Sequence, residues 1–239
     1  MLYIVATPIG NLGDISSRAV ETFRSVDFIA CEDTRVTSKL LARFEISKPL
    51  ISYHQHSLAK VTDGILEKLK EGKNIALVTD AGTPGISDPG GRLVEAIISM
   101  PPLIKGGEGD AYENSADNQI KITPIPGPCA AVTALSASGF PADKFVFLGF
   151  PPNKKGRNKW FEELAQIDKT IVFYESTYRI LKALEAIGKI LPDRQLVVCR
   201  ELTKMYETIY RGTAHEVTQQ LNASSIKGEF VVVIKNTKP

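Results

Sequence analysis

Cysteine is scarce in this 239-residue chain: Cys31, Cys129 and Cys199 are far apart and odd in number. No paired spacing joins them, which excludes a disulfide framework and predicts reduced thiols in a cytosolic protein. Histidine is as rare. His54 and His56 share one face of a predicted strand, a spacing able to bind a metal, yet with three histidines in all no acid or cysteine completes a set. No metal is expected. Long apolar runs are missing too, so no membrane-spanning helix is predicted. The start Met1-Leu2-Tyr3-Ile4-Val5-Ala6-Thr7-Pro8 carries no basic leader and is too short for a signal core, which again points to the cytoplasm. Nor does charge of one sign dominate: 29 Lys+Arg stand against 27 Asp+Glu, a formal net of +2. That balance permits a basic face offset by acids elsewhere. With 43% hydrophobic and 23% charged residues, the chain reads as an ordinary globular protein of one or two domains with a sizeable core.

The most informative stretch runs from Leu77 to Gly91. Residues 74–79 read as a buried strand, and Asp88-Pro89 as a helix start with an acid as N-cap and proline just inside it. Between them lie two glycines, a proline and two hydroxyls, long for a strand-to-helix junction. A carboxylate and several backbone amides there suit a polar small molecule at the carboxyl edge of a parallel sheet. The first strand ends in a similar device, Ala6-Thr7-Pro8-Ile9-Gly10-Asn11-Leu12-Gly13-Asp14. Two such loops on one sheet suggest a nucleotide-like ligand.

The first half alternates strand and helix. Strands are predicted at 2–7, 27–31, 49–53, 74–79 and 120–125. Helical faces lie at Ile15, Ala19, Phe23 and Val26 (with Asp14 as cap), at Val36, Leu40, Leu41 and Phe44, at Leu58, Val61, Ile65 and Leu69, and over 90–99. This pattern implies a mostly parallel sheet flanked by helices. Residues 101–119, poor in apolar groups and rich in turn formers, read as an exposed insertion. Their Gly-Gly-Glu-Gly is no dinucleotide fingerprint, since no strand precedes it and no helix follows. After Pro126-Gly127-Pro128-Cys129-Ala130-Ala131 opens a short helix, strands are expected at 145–149, 169–174, 195–199, 205–211 and 229–235. Helices are expected at 157–167, 176–187 and 214–221. The expectation is therefore two domains: 1–125, α/β, and 126–239, α+β with a mixed sheet.

Several segments together resemble one family. They are the first loop through Ile15-Ser16, Cys31-Glu32-Asp33-Thr34-Arg35, Ser52-Tyr53-His54, Asp80-Ala81-Gly82-Thr83-Pro84, Ser87-Asp88-Pro89-Gly90, Pro126-Gly127-Pro128-Cys129-Ala130, Phe173-Tyr174-Glu175-Ser176 and Arg200-Glu201-Leu202-Thr203-Lys204. In this order they resemble the tetrapyrrole-methylase-like superfamily. More narrowly, they resemble its bacterial 16S rRNA cytidine 2′-O-methyltransferases over essentially the whole chain. The resemblance implies a two-domain fold with S-adenosylmethionine in the cleft between domains, usually a homodimer, and a cytidine ribose in the decoding region of small-subunit rRNA as substrate. It also implies that Pro8, Asp80, Thr83, Ile86, Cys129, Ala130, Tyr174 and Leu202 surround the cofactor. Insertion 101–119 departs from the family pattern, and the extra carboxyl-terminal segment that some relatives carry is not expected after the last strand. Two other readings stay open: a porphyrin-type C-methylase of the same fold, and a non-catalytic ribosome-assembly factor.

Methyl transfer from a sulfonium needs alignment rather than a metal or a covalent intermediate. A ribose hydroxyl is a poor nucleophile, so a base or a cation beside the developing alkoxide would help. Candidates are Glu32, Asp33 and Arg35 after the second strand, Glu175, and Glu201 with Lys204. The favoured set is Lys204 polarising the hydroxyl, its pKa lowered by burial, with Glu175 and Glu201 as orienters. Each of these groups also suits a plain structural ion pair, and Asp80 also suits a strand-end cap on its own loop. For RNA phosphates, Arg35, Lys39 and Arg43 recur every four residues on one helix, and Lys154, Lys155, Arg157 and Lys159 cluster beside Trp160. Solvated surface is the bland reading of both clusters. Trp160 is expected to pack on Phe161 and Leu164 rather than stack on a base.

Overall fold

A computed structural model describes residues 1–54, 58–100 and 120–236. The chain divides into two compact units, Met1–Pro8 with Leu12–Pro128, and Ile9–Asn11 with Cys129–Pro239. Against the expected division at 125/126, residues 126–128 fall in the first unit and residues 9–11 in the second. Insertion 101–119 and His56 lie outside the described residues. No described helix is long and apolar enough to cross a membrane.

The first unit holds β1 (Leu2–Val5), β2 (Phe28–Cys31), β3 (Leu50–Ser52), β4 (Ile75–Leu77) and β5 (Ile122–Ile125), ordered β3-β2-β4-β1-β5 and parallel throughout. Helices α1 (Ser17–Ser25), α2 (Thr34–Arg43), α3 (Leu58–Lys70) and α4 (Gly90–Ile98) cover both faces. Alternation along the strands makes this possible. Val5, Ile29, Cys31 and Ala76 point to one side with Ala19, Phe23 and Leu41, while Leu2, Ala30, Ile75 and Leu77 point to the other with Ile65, Leu69, Leu93 and Ile97. So the helix after β1 and the helix after β4 leave adjacent strands for opposite faces. That divergence is a topological switch point, where the carboxyl ends of strands open a crevice.

Two caps differ from expectation. Asp14 sits in a 3₁₀ turn, Leu12–Asp14, and Ser16 caps α1 by accepting the Ala19 N–H at 3.1 Å, a bond worth about 1 kcal/mol. The turn consumes the residues after the first loop, so the cap falls two places later. The cap residue of α4 is Pro89 rather than Asp88, but the Asp88 carboxylate still accepts the Gly90 N–H at 2.7 Å.

The second unit holds α5 (Ala130–Ser138), β6 (Phe145–Phe147), α6 (Arg157–Glu163), β7 (Thr170–Ser176), α7 (Ile180–Ile190), β8 (Leu196–Arg200), β9 (Thr208–Gly212), α8 (Ala214–Asn222) and β10 (Glu229–Ile234). Its sheet is ordered β6-β7-β10-β8-β9, with β6 and β7 parallel and the other pairs antiparallel. One face buries Ile171, Phe173, Val198, Phe230 and Val232 under α6, α7 and α8; the other buries Val172, Val197, Cys199, Val231 and Val233 under α5. A reciprocal capping box, Thr213 with Glu216, starts α8. Trp160 packs edge-to-face on Phe161 and Phe173, with ring centroids at 5.0 and 5.3 Å, as its sequence neighbourhood predicts.

Candidate active site

In the first unit the loops after β1 and β4 are stitched together at the switch point. Thr7 and Gly82 exchange backbone hydrogen bonds of 2.9 and 3.1 Å, and the buried Thr7 hydroxyl donates to the Thr79 carbonyl at 3.2 Å. This places Pro8 beside Thr83, whose own hydroxyl donates to the Pro128 carbonyl at 2.9 Å. Gly82 and Gly85 take φ of 89° and 88°, where a side chain would be strained. The Asp88 carboxylate then gathers the Gly85 N–H at 2.8 Å and the Gly90 N–H, closing the loop on itself. Ile86 stands exposed at its tip. The loop is thus rigid before any ligand arrives.

Asp80 stands at the rim of this loop, and it does not cap its own turn. Its carboxylate instead accepts the Asp33 N–H at 3.0 Å, holding the start of α2. Burial pushes its pKa up, the Asp33 carboxylate adding to the effect, against the Asp33 N–H and Arg35. Asp33 is itself engaged: it caps α2 and takes the Arg35 guanidinium at 2.6 Å, which holds its carboxyl down to about 2. Glu32 accepts the Thr79 hydroxyl at 3.1 Å.

In the second unit, Cys129, Ala130, Tyr174 and Leu202 all belong to the apolar cluster on the α5 face of the sheet. The N-cap of α5, Cys129, offers no side-chain bond, and the Tyr174 hydroxyl accepts the Ala131 N–H at 3.2 Å. Rings of Phe147 and Phe150 meet Tyr174 edge-on at 5.0 and 5.4 Å.

Lys204 lies in the turn between β8 and β9. Its ammonium donates to Glu201 at 3.0 Å and to Glu229 at 2.7 Å. Burial pulls its pKa down, but hydrogen bonds and charge from Glu229 and Glu201 outweigh that pull and leave it above the ordinary lysine value. The expected depression is therefore reversed: the two carboxylates favour the charged form of Lys204. Glu201 is correspondingly held below the usual carboxylate range, because the Glu229 N–H and Lys204 prevail over burial. Gly10 packs directly against this turn, where an added Cβ would lie 2.4 Å from the Lys204 Cγ.

Glu175 does not orient Lys204. Strand β7 runs on to Ser176, past its expected end at 174, so alternation turns Glu175 to the α6–α7 face while Tyr174 keeps the α5 face. There Glu175, with no exposed side chain, pairs with Arg157 at 2.6 Å and Arg179 at 2.9 Å. The same pairing removes Arg157 from the group of free phosphate partners. Arg35 pairs with Asp33 but keeps an exposed side chain, and Lys39, Arg43, Lys154 and Lys155 are exposed as well. The residue-level reading missed Glu229, Thr7 and Arg179. Glu229 lies 25 residues from Lys204 in sequence, and only strand pairing joins them. No described group of His, Cys, Asp and Glu could hold a metal.

A parallel sheet whose first and fourth strands end in interlocked proline- and glycine-bearing loops, followed by a mixed sheet, defines a two-domain α/β architecture. A solved cobalamin biosynthetic enzyme, cobalt precorrin-4 methyltransferase, has the same fold, with a TM-score of 0.65 at 17% identity over 98% of this chain and 94% of that one. The chain belongs to the tetrapyrrole (corrin/porphyrin) methylase family, which it matches over residues 1–100 and 101–218. Within that family it groups with proteins named ribosomal RNA small subunit methyltransferase I. It is 46% identical to the one from Synechocystis sp. over all of this chain and 80% of the relative. It is 45% identical to the one from Bacillus subtilis over 99% and 75%.

Proposed function

We propose that this chain transfers a methyl group from S-adenosylmethionine to the 2′-hydroxyl of a cytidine in the decoding region of 16S rRNA, acting as a cytoplasmic homodimer. The observation that carries this reading is the match over nearly the whole chain to relatives whose name gives a small-subunit rRNA methyl transfer.

The cofactor supplies a methyl group already activated on a sulfonium. The residues of each unit fit it. In the first unit, the accessible Asp80 carboxylate suits the ligand's amino group or hydroxyls, and the hydrogen-bonded loop carrying Thr83 and Ile86, beside Pro8, needs little ordering to receive it. In the second, Cys129, Ala130, Leu202 and Tyr174 offer an apolar lining suited to adenine, at an α5 N-terminus that favours polar groups. Lys204, fixed by Glu201 and Glu229, directs its ammonium to the ribose oxygen and stabilises negative charge as the hydroxyl proton leaves to water. Lys39 and Arg43 on α2 and Lys154 and Lys155 before α6 supply phosphate contacts.

The deciding experiment incubates the protein with unmodified 30S subunits and methyl-labelled S-adenosylmethionine, then maps the label. Label on a cytidine ribose is expected. Label on a base carbon or nitrogen, or on added free tetrapyrrole instead of RNA, defeats the proposal.

A further inference from the structure

We infer that one end of the second unit's sheet is a platform on which unpaired RNA bases stack, with Tyr178 and Tyr206 as its aromatic surfaces and Lys154, Lys155 and Lys227 as its phosphate partners. The inference rests on the rRNA reading above and names where that RNA is held.

Strand directions collect the residues. β7 ends at Ser176 and β8 at Arg200, while antiparallel β10 begins at Glu229 opposite Ser176, and β9 begins at Thr208 opposite Arg200. Parallel to β7, β6 ends at Phe147. Four connections therefore emerge together at this end. Tyr178 is 91% exposed, Tyr206 69% and neighbouring Met205 90%. Large rings left in water at such levels are not explained by folding.

A hydrogen-bonded belt holds the backbones beneath them. Arg179 bonds Asn153, and the Thr177 hydroxyl bonds both the carbonyl and the N–H of Gly228. Arg200 donates to the Lys227 carbonyl at 2.6 Å and to the Tyr206 carbonyl at 3.2 Å, and the Glu229 N–H donates to Glu201 at 2.8 Å. The rings thus stand on fixed ground, which lowers the ordering cost of binding.

Charge selects the partner. Segments 150–157, 175–179, 200–207 and 224–229 hold seven basic and four acidic residues, a net of +3 where the entire chain has +2. Every one of those acids is engaged: Glu175 by two arginines, Glu201 and Glu229 by Lys204, and Glu207 by the Thr203 N–H. Lys154, Lys155 and Lys227 are exposed, and their side chains have no ion-pair partner among the described residues. The core of a protein–protein interface is depleted of lysine. Aromatic rings interleaved with lysines suit a polyanion with exposed π faces, which is single-stranded RNA.

The test titrates the full-length protein into a single-stranded cytidine-containing oligoribonucleotide that carries 2-aminopurine, and reads its fluorescence. Tyr178→Ala and Tyr206→Ala should each weaken binding about 5- to 100-fold, while Tyr178→Phe and Tyr206→Phe stay within about twofold of the parent. Lys154→Ala with Lys155→Ala should lower the salt slope by about 1.4. Thermal melts matching the parent confirm that the variants fold. Alanine variants that bind like the parent overturn the inference, as do alanine variants that only turn a dimer into monomers at unchanged RNA affinity. Methylation of subunits by the parent, with binding indifferent to both tyrosines, sinks this inference and leaves the function standing. Tyrosine-dependent binding without methyl transfer does the reverse.

Discussion

Replacing Glu175 by glutamine should be among the most destabilising single changes in the second unit. The carboxylate has no exposed surface and takes three bonds: Arg157 at 2.6 Å, Arg179 at 2.9 Å and the Ser176 N–H at 2.8 Å. The two arginine side chains are 14% and 23% exposed, so solvent screens the triad little. Glutamine keeps the shape but turns an amide donor toward a guanidinium and leaves two cations facing each other. Breaking a buried pair in this way costs about 3–5 kcal/mol. For a chain of this size that corresponds to a fall of roughly 10 °C in Tm. Urea unfolding followed by fluorescence of Trp160, which packs against the apolar core of the second unit, gives the free energy directly. Adding Arg157→Met to Glu175→Gln should cost little more, because its partner has already gone. Folded Glu175→Gln protein should keep its kcat, since Glu175 pairs with Arg157 and Arg179 while Lys204, in the turn between β8 and β9, is held by Glu201 and Glu229. A loss under about 1 kcal/mol, or a collapse of kcat in protein that melts normally, would refute this assignment of Glu175 as structural.

Lys204 has a raised pKa, so it stays charged through neutrality and loses its proton only above the ordinary lysine value. The pH dependence of kcat/KM between pH 6 and 9 should accordingly show no inflection belonging to it; one near 7–8 that vanishes in Lys204→Arg contradicts the cation role. Gly10→Ala places a Cβ 2.4 Å from the Lys204 Cγ and 2.9 Å from the Thr203 Oγ1. Displacing the ammonium by about 1 Å should lower kcat roughly 100-fold at unchanged S-adenosylmethionine affinity, and unaltered kcat removes Lys204 from the chemistry. Asp80→Ala should weaken S-adenosylmethionine binding by about 10- to 100-fold in calorimetry, the range for losing a hydrogen bond to a charged group. Because the Asp80 pKa is raised, acidification should protonate it early, so parental affinity falls as pH drops through that value while the affinity of Asp80→Ala stays flat.

What the sequence made legible was what repeats at short range. Period-3.6 faces such as Ala19, Phe23 and Val26, and β-branched runs such as 229–235, report burial directly, and burial decides helix and strand. The two loops were legible because glycine and proline mark backbone geometry that other residues avoid. Glu175 was not, and the reason is parity: moving a strand end by two residues changed it from a loop acid to a residue with a defined face. Once Ser176 is known to pair with Glu229, the next residue inward on β7 must face Arg157 and not Lys204. Pairing partners across a sheet carry no short-range signature, which also hid Glu229. That strand-start acid, together with Glu201, sets the direction of the Lys204 shift: burial alone would lower its pKa, and the two carboxylates raise it. The chemistry proposed for the hydroxyl therefore turns on a contact visible only after the second sheet has formed.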